Sequence, residues 1–129
     1  MIEKSNKIIM IVEDDEALGK MYFDRVLAEG YGVVLVTDGQ EAQNKLLEGS
    51  HHFVLLDIML PNRNGIEILE VIRSNESTKE LPVIMLSAFP KPEYLERINL
   101  LGVVDFFNKA ATTPGEVVYK INQNLFPEL

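Results

Sequence analysis

Phe53-Val54-Leu55-Leu56-Asp57-Ile58-Met59-Leu60-Pro61 is an apolar run broken by a single carboxylate and stopped by a proline. Four to eight apolar residues bounded by turn signals read as a strand buried on both faces, and Asp57 falls where that strand runs out. In open α/β sheets, ligands and chemistry collect at the carboxyl ends of the strands, so an acid at this point is a candidate reactive group. The plainer alternative is that Asp57 caps the turn leading into Asn62-Arg63-Asn64-Gly65. The rest of the chain has to separate the two.

Outward from this stretch, strand-like runs recur at Ile8-Ile9-Met10-Ile11-Val12, Val33-Val34-Leu35-Val36, Val83-Ile84-Met85-Leu86 and Val103-Val104-Asp105-Phe106-Phe107. Segments with helical spacing separate and follow them: Leu18, Met21, Tyr22 and Val26; Ala42 and Leu46; Leu69 and Ile72; Leu95, Ile98 and Leu101; Val117, Ile121 and Leu125. Five strands alternating strictly with five helices imply a mostly parallel sheet with helices on both faces, because crossovers between parallel strands are right-handed. Punctuation agrees with these limits. Asp38-Gly39-Gln40-Glu41 and Thr113-Pro114-Gly115-Glu116 each place a capping residue three positions before a glutamate. Pro114 suits a first helical position, and Gly30, Gly49 and Gly102 stand where the first, second and fourth helices should stop.

The 129 residues are of the usual size for one domain, expected to span 1–129 with a core from about 7 to 126 and no output domain. There is no cysteine, which excludes disulfides, thiolate metal sites and a cysteine nucleophile and fits a cytoplasmic location. No run approaches the roughly 20 apolar residues of a membrane span, and the first residues lack a signal-peptide pattern. Twenty acids against twelve Lys and Arg give a formal charge of −8, which repels phosphate backbones and argues against direct nucleic-acid binding. A cation or a basic partner surface is the better match.

In a parallel sheet all strand C-termini share one edge. That edge carries Glu13, Asp14 and Asp15 after the first strand, Asp57 after the third, Ser87 after the fourth and Asn108-Lys109 after the fifth. Carboxylates brought together from two strands repel each other unless a hard, oxygen-preferring cation such as Mg2+ intervenes, and a lysine with a hydroxyl beside them suits a phosphoryl group. Singly, each residue has a plainer reading: Asp14 or Asp15 as a helix cap, Ser87 as a turn residue, Lys109 as a solvated charge. Their coincidence on one edge favours function.

These pieces in order resemble the receiver domain of two-component response regulators. They are Ile11-Val12-Glu13-Asp14-Asp15-Glu16, Leu55-Leu56-Asp57-Ile58-Met59-Leu60-Pro61 with Asn64-Gly65, Met85-Leu86-Ser87-Ala88 and Asp105-Phe106-Phe107-Asn108-Lys109. The resemblance covers nearly the whole chain and is nearest to the single-domain, chemotaxis-regulator-like type. It implies an α/β, flavodoxin-like, doubly wound five-stranded parallel sheet in the order 2-1-3-4-5 with five helices. By the same resemblance Asp57 would accept a phosphoryl group from a phosphohistidine on a sensor histidine kinase or phosphotransfer protein. Glu13, Asp14, Asp57 and the Met59 backbone carbonyl would hold Mg2+ or Mn2+, Lys109 would face the phosphate, and Ser87 with Phe106 would act as the switch pair. Asp15 is then free to cap the first helix. The chain would be a signalling switch that catalyses only its own phosphorylation and dephosphorylation, with a downstream protein effector or a second copy as partner and no nucleic acid or membrane.

One position departs from the family. Where its lysine is usually followed by a proline, often across a cis bond, this chain has Ala110. A cis bond before a residue other than proline costs about 2.5–4 kcal/mol, so the Lys109–Ala110 peptide is either trans or held in an expensive geometry. Two other classes of function compete. An aspartate-nucleophile phosphohydrolase usually carries a second aspartate two residues on, where Met59 stands, and a docking receiver that takes no phosphate would not need the full set of reactive side chains. No Gly-rich phosphate loop follows any strand. Met59 and Phe89, each two residues past a site residue, are large enough to shield an acyl phosphate from water. Beyond the core-facing residues of the fourth helix, Tyr94, Arg97 and Leu100 mix aromatic, cationic and apolar groups as protein interfaces do.

Overall fold

The computed structural model describes residues 3–88 and 91–128. The strands are β1 (Ile8–Val12), β2 (Gly32–Val36), β3 (Phe53–Asp57), β4 (Val83–Ser87) and β5 (Asp105–Asn108). The helices are α1 (Glu16–Ala28), α2 (Gly39–Glu48), α3 (Gly65–Ser74), α4 (Pro92–Leu101) and α5 (Pro114–Leu125). All strand pairs are parallel, in the order β2-β1-β3-β4-β5. Short 3-10 turns at Lys4–Asn6 and Lys109–Ala111 precede β1 and follow β5.

Strict alternation along the strands builds two cores. Met10, Val12, Val54, Leu56, Val83 and Met85 face Ala42, Leu46, Ile68, Leu69, Ile72 and Ile98, so α2, α3 and α4 cover one side. Ile9, Ile11, Phe53, Leu55, Ile84 and Leu86 face Tyr22, Val26, Val117, Val118 and Ile121, so α1 and α5 cover the other. Each large side chain removed from water in this way contributes about 1.5–3 kcal/mol before entropic costs. Every residue of β3 is buried, which explains why its sequence is continuous rather than alternating.

Most local boundaries follow the sequence. Asp15 caps α1 by accepting from Leu18 N, Asp38 caps α2 through Glu41 N, and Thr113 caps α5 through Glu116 N. Gly30, Gly49 and Gly102 all have positive φ. Three expectations need correction. Met21 and Leu95, assigned above to core faces, are 42% and 37% exposed, because α1 turns Gly19, Tyr22 and Val26 inward and α4 buries only Ile98. The fifth strand begins at Asp105 rather than Val103; Val104 contributes one backbone bond to Val83 O before the regular ladder starts. Tyr94 is half-buried against the core, with Lys91 over its ring, rather than standing clear of it.

Candidate functional site

Register assembles the site. Val12 pairs with Leu56, so the next residues of β1 and β3, Glu13 and Asp57, emerge side by side on the α1/α5 side of the sheet. Asp57 pairs with Leu86 and Ser87 with Asn108, which carries the same edge across β4 and β5. Glu13 and Asp57 are each 2% exposed and Ser87 is fully buried, whereas Asp14 is exposed. Ligand oxygens of Glu13, Asp14 and Asp57 all lie within 4.8 Å of one another.

Lys109 closes this group. Its ammonium donates to Glu13 Oε1 at 2.7 Å, Glu13 Oε2 at 2.9 Å and Asp57 Oδ2 at 2.9 Å. The second Asp57 oxygen accepts from Met59 N at 3.4 Å, a long contact by hydrogen-bond standards. Two buried carboxylates thus share a single cation. Burial, with the neighbouring Asp57, pushes the Glu13 carboxyl up to about 8 against the pull of Lys109. Burial disfavours the Lys109 charge, but its bonds to Glu13 and Asp57 outweigh that and hold its pKa above the ordinary lysine value. The Tyr22 hydroxyl is buried with no hydrogen-bond partner among the described residues, and burial first and then the nearby Glu13 raise its pKa.

Ala110 is legible in the local geometry. No peptide bond among the described residues is cis, so Lys109–Ala110 is trans. Ala110 N donates to Asn108 Oδ1 at 2.9 Å and Thr112 Oγ1 donates to Asn108 O at 2.7 Å, which winds the 3-10 turn carrying Lys109. A proline at 110 has no N–H to give to Asn108.

Of the residues anticipated for this edge, Glu13, Asp14, Asp57 and Lys109 come together, while Ser87 lies buried two strands from Glu13 on the same edge. Phe106 pairs with Met85 and is half-buried against the α2/α3/α4 core. The Met59 side chain is 60% exposed, and Phe89 lies outside the described residues. Sequence reasoning placed a turn at Asn62-Arg63-Asn64-Gly65 after β3 but left its contacts unread. There Asn64 and Glu67 form a reciprocal capping box on α3, although Asn-x-x-Glu is a visible signal. The close approach at Gly65, where a Cβ would overlap the Asp57 carbonyl oxygen, carries no local signal. No helix among the described residues is long and apolar enough to cross a membrane.

The chain is similar to several known proteins. The response regulator receiver domain pattern matches residues 9–122. The polar-differentiation response regulator DivK of Brucella ovis is 32% identical over 108 residues, which cover 84% of this chain and 88% of DivK. The uncharacterized transcriptional regulatory protein YcbL of Bacillus subtilis is 42% identical over 79 residues, 61% of this chain but only 34% of YcbL's length. Among solved structures, the CheY-like response regulator receiver domain protein of Methanospirillum hungatei superposes with a TM-score of 0.86 at 26% identity, covering 94% of each chain. The receiver domain of the sensor histidine kinase PA1611 from Pseudomonas aeruginosa, solved with a magnesium ion coordinated in its active site cleft, gives a TM-score of 0.80 at 26% identity over 92% of this chain and 96% of that one. With its sheet order, its acidic edge and a match across most of its length, this chain belongs to the response regulator receiver domain family.

Proposed function

We propose that this domain is a phospho-accepting switch in which Asp57 receives a phosphoryl group from a phosphohistidine on a sensor histidine kinase or phosphotransfer protein. The observation that carries the reading is the bond from Lys109 Nζ to Asp57 Oδ2 at the mouth of a cluster of three carboxylates. In the transfer, an Asp57 carboxylate oxygen forms a bond to phosphorus while the phosphorus–nitrogen bond breaks. The ring nitrogen keeps the electron pair and takes up a proton from solvent. Such reactions depend on alignment and charge neutralisation more than on covalent help from the protein. Asp57 is held by the end of a fully buried strand and by Lys109, so its orientation is fixed before the donor arrives. Lys109 is positioned to pass from the carboxylates to the incoming phosphoryl oxygens, where a fixed cation stabilises developing charge.

The donor set of Glu13, Asp14 and Asp57 is all oxygen, which fits Mg2+ or Mn2+. The Met59 carbonyl is a further proposed ligand. When bound, the ion would neutralise the clustered carboxylates and polarise the phosphoryl oxygens. The family resemblance and the magnesium in PA1611 support this reading.

Phosphate on Asp57 adds charge and acceptor oxygens, and the Ser87 hydroxyl is the proposed partner for one of them. Its shift favours inward rotation of Phe106 and biases the surface of α4, β5 and α5. On that surface Leu100 and Tyr119 are 75% and 60% exposed, and Arg97 is paired with Glu70 of α3. A protein effector or a second copy suits such a surface better than nucleic acid does, given the net charge of −8. The test is intact mass after incubation with acetyl phosphate and Mg2+. One labile phosphate per chain supports the switch, rapid turnover of acetyl phosphate without accumulation points to a hydrolase, and an unchanged mass points to a docking module.

A further inference from the structure

The loop between β3 and α3 is seated on backbone at both ends. Behind Asp57, Gly65 N donates to Ile58 O at 2.8 Å, and only glycine fits against the Asp57 carbonyl. At its crest the loop rests on the start of α2. Gly39 N donates to Pro61 O at 3.1 Å, Arg63 N donates to the same oxygen at 2.8 Å, and a Cβ on Gly39 would overlap the Arg63 carbonyl oxygen. Asn62, between them, adopts a φ of 68°, a conformation that asparagine tolerates better than most residues. Its side-chain amide donates to Asp38 Oδ2. The other Asp38 oxygen accepts from Glu41 N at 2.9 Å and caps α2. One carboxylate therefore both starts a helix and holds a loop 24 residues away.

The loop matters because of what it carries. Met59 lies two residues past Asp57 and touches the Asp57 carboxylate through its N–H, and its carbonyl is the ligand proposed above. We propose that Asp38 and Asn62, seated on Gly39, are positioning residues: a latch through which the N-terminus of α2 fixes the loop after Asp57 and so sets the geometry for the cation and the phosphoryl group. This inference rests on the functional reading above. Neither residue takes part in the chemistry. Two features set the latch apart from a simple turn. Its partners come from different elements, and glycine is required where the two backbones meet.

The test uses two readouts on the whole chain, Mg2+ affinity and the rate of Asp57 phosphorylation by acetyl phosphate. Asn62→Gly removes the amide while suiting the positive φ and leaves the net charge unchanged. Asp38→Ser keeps a cap for α2 but has no second oxygen for Asn62. Each is expected to weaken Mg2+ binding and slow phosphorylation by ~10-fold, since displacements near 1 Å in a reacting site cost up to about 100-fold. The double variant should lose no more than either single one, as expected for two ends of one interaction. The exchange Asp38→Asn with Asn62→Asp, which restores a donor and an acceptor at the same net charge, should recover most of both readouts. Unchanged rates and affinity in Asn62→Gly, additive losses, or an exchange that recovers nothing overturn the latch while wild-type phosphorylation stands. A wild type that neither binds Mg2+ nor takes up phosphate overturns the functional reading and the latch with it.

Discussion

Mg2+ uptake at neutral pH should expel a proton. Glu13 and Asp57 are almost fully buried and share one ammonium, so the metal-free pair resists carrying two negative charges. Burial first, and Asp57 second, push Glu13 to about 8. With that value roughly nine-tenths of the Glu13 carboxyl is protonated near pH 7 and roughly one-tenth near pH 9. A hard cation needs the ionised carboxylate, so binding near pH 7 releases close to ~1 proton, and affinity rises ~10-fold between about pH 7 and pH 9 before levelling. Stability carries the opposite slope. A carboxyl raised above its ordinary 4.5 makes the folded state the better proton binder between there and about 8. Its contribution is therefore fully present at low pH and lost as pH climbs through that window. Saturating Mg2+ should flatten this loss. Titration calorimetry in two buffers of different ionisation enthalpy counts the released protons, and thermal melts across pH with and without Mg2+ follow the slope. Affinity independent of pH between about 6 and 9, with no proton released, would refute the placement of Glu13 as a raised-pKa ligand.

Three further outcomes are expected. Arg73 donates to the carbonyls of Lys79, Leu81, Leu101 and Gly102, tying the end of α3 to the approaches of β4 and β5. Arg73→Ala should cost ~2–4 kcal/mol in urea unfolding, since charged hydrogen bonds contribute about 1.5–3 kcal/mol each and the loss is not additive; Arg73→Lys, lacking the fork, should recover only part of it, and full recovery would contradict the account. Replacing Met59 and Phe89 together by asparagine and serine should speed decay of the acyl phosphate by admitting water, and an unchanged lifetime would argue against shielding. Hydrogen exchange with and without beryllium fluoride should differ most in α4, β5 and α5; changes confined to α1 and α2 would place the output surface elsewhere.

What could be read from the sequence is what depends on local pattern. The burial of β3 on both faces, the caps at Asp38 and Thr113 and the stops at Gly30, Gly49 and Gly102 each follow from a few adjacent residues. The set Glu13, Asp14, Asp57 and Lys109 could be placed on one edge because a parallel sheet aligns its strand ends. The misses share a different cause. Met21 and Leu95 are apolar residues at helical spacing, but whether such a residue faces in or out depends on the rotation of its helix against the sheet. Arg73 looks like any surface cation until four carbonyls from two separate segments converge on it. Asp38 and Asn62 are each ordinary turn residues, and nothing in the chain between them signals that they meet. Asn64 is the exception, since its cap was visible three residues before Glu67 and went unread.

Acyl-phosphate trapping identifies directly which residue is modified. After incubation with acetyl phosphate and Mg2+, reduction with borohydride converts a phosphorylated aspartate to homoserine, which peptide mass mapping can locate. Homoserine is expected at position 57 alone, with no product in Asp57→Asn. Homoserine at Asp14, Asp15 or any other aspartate, or phosphate uptake by Asp57→Asn near the wild-type level, would contradict that assignment.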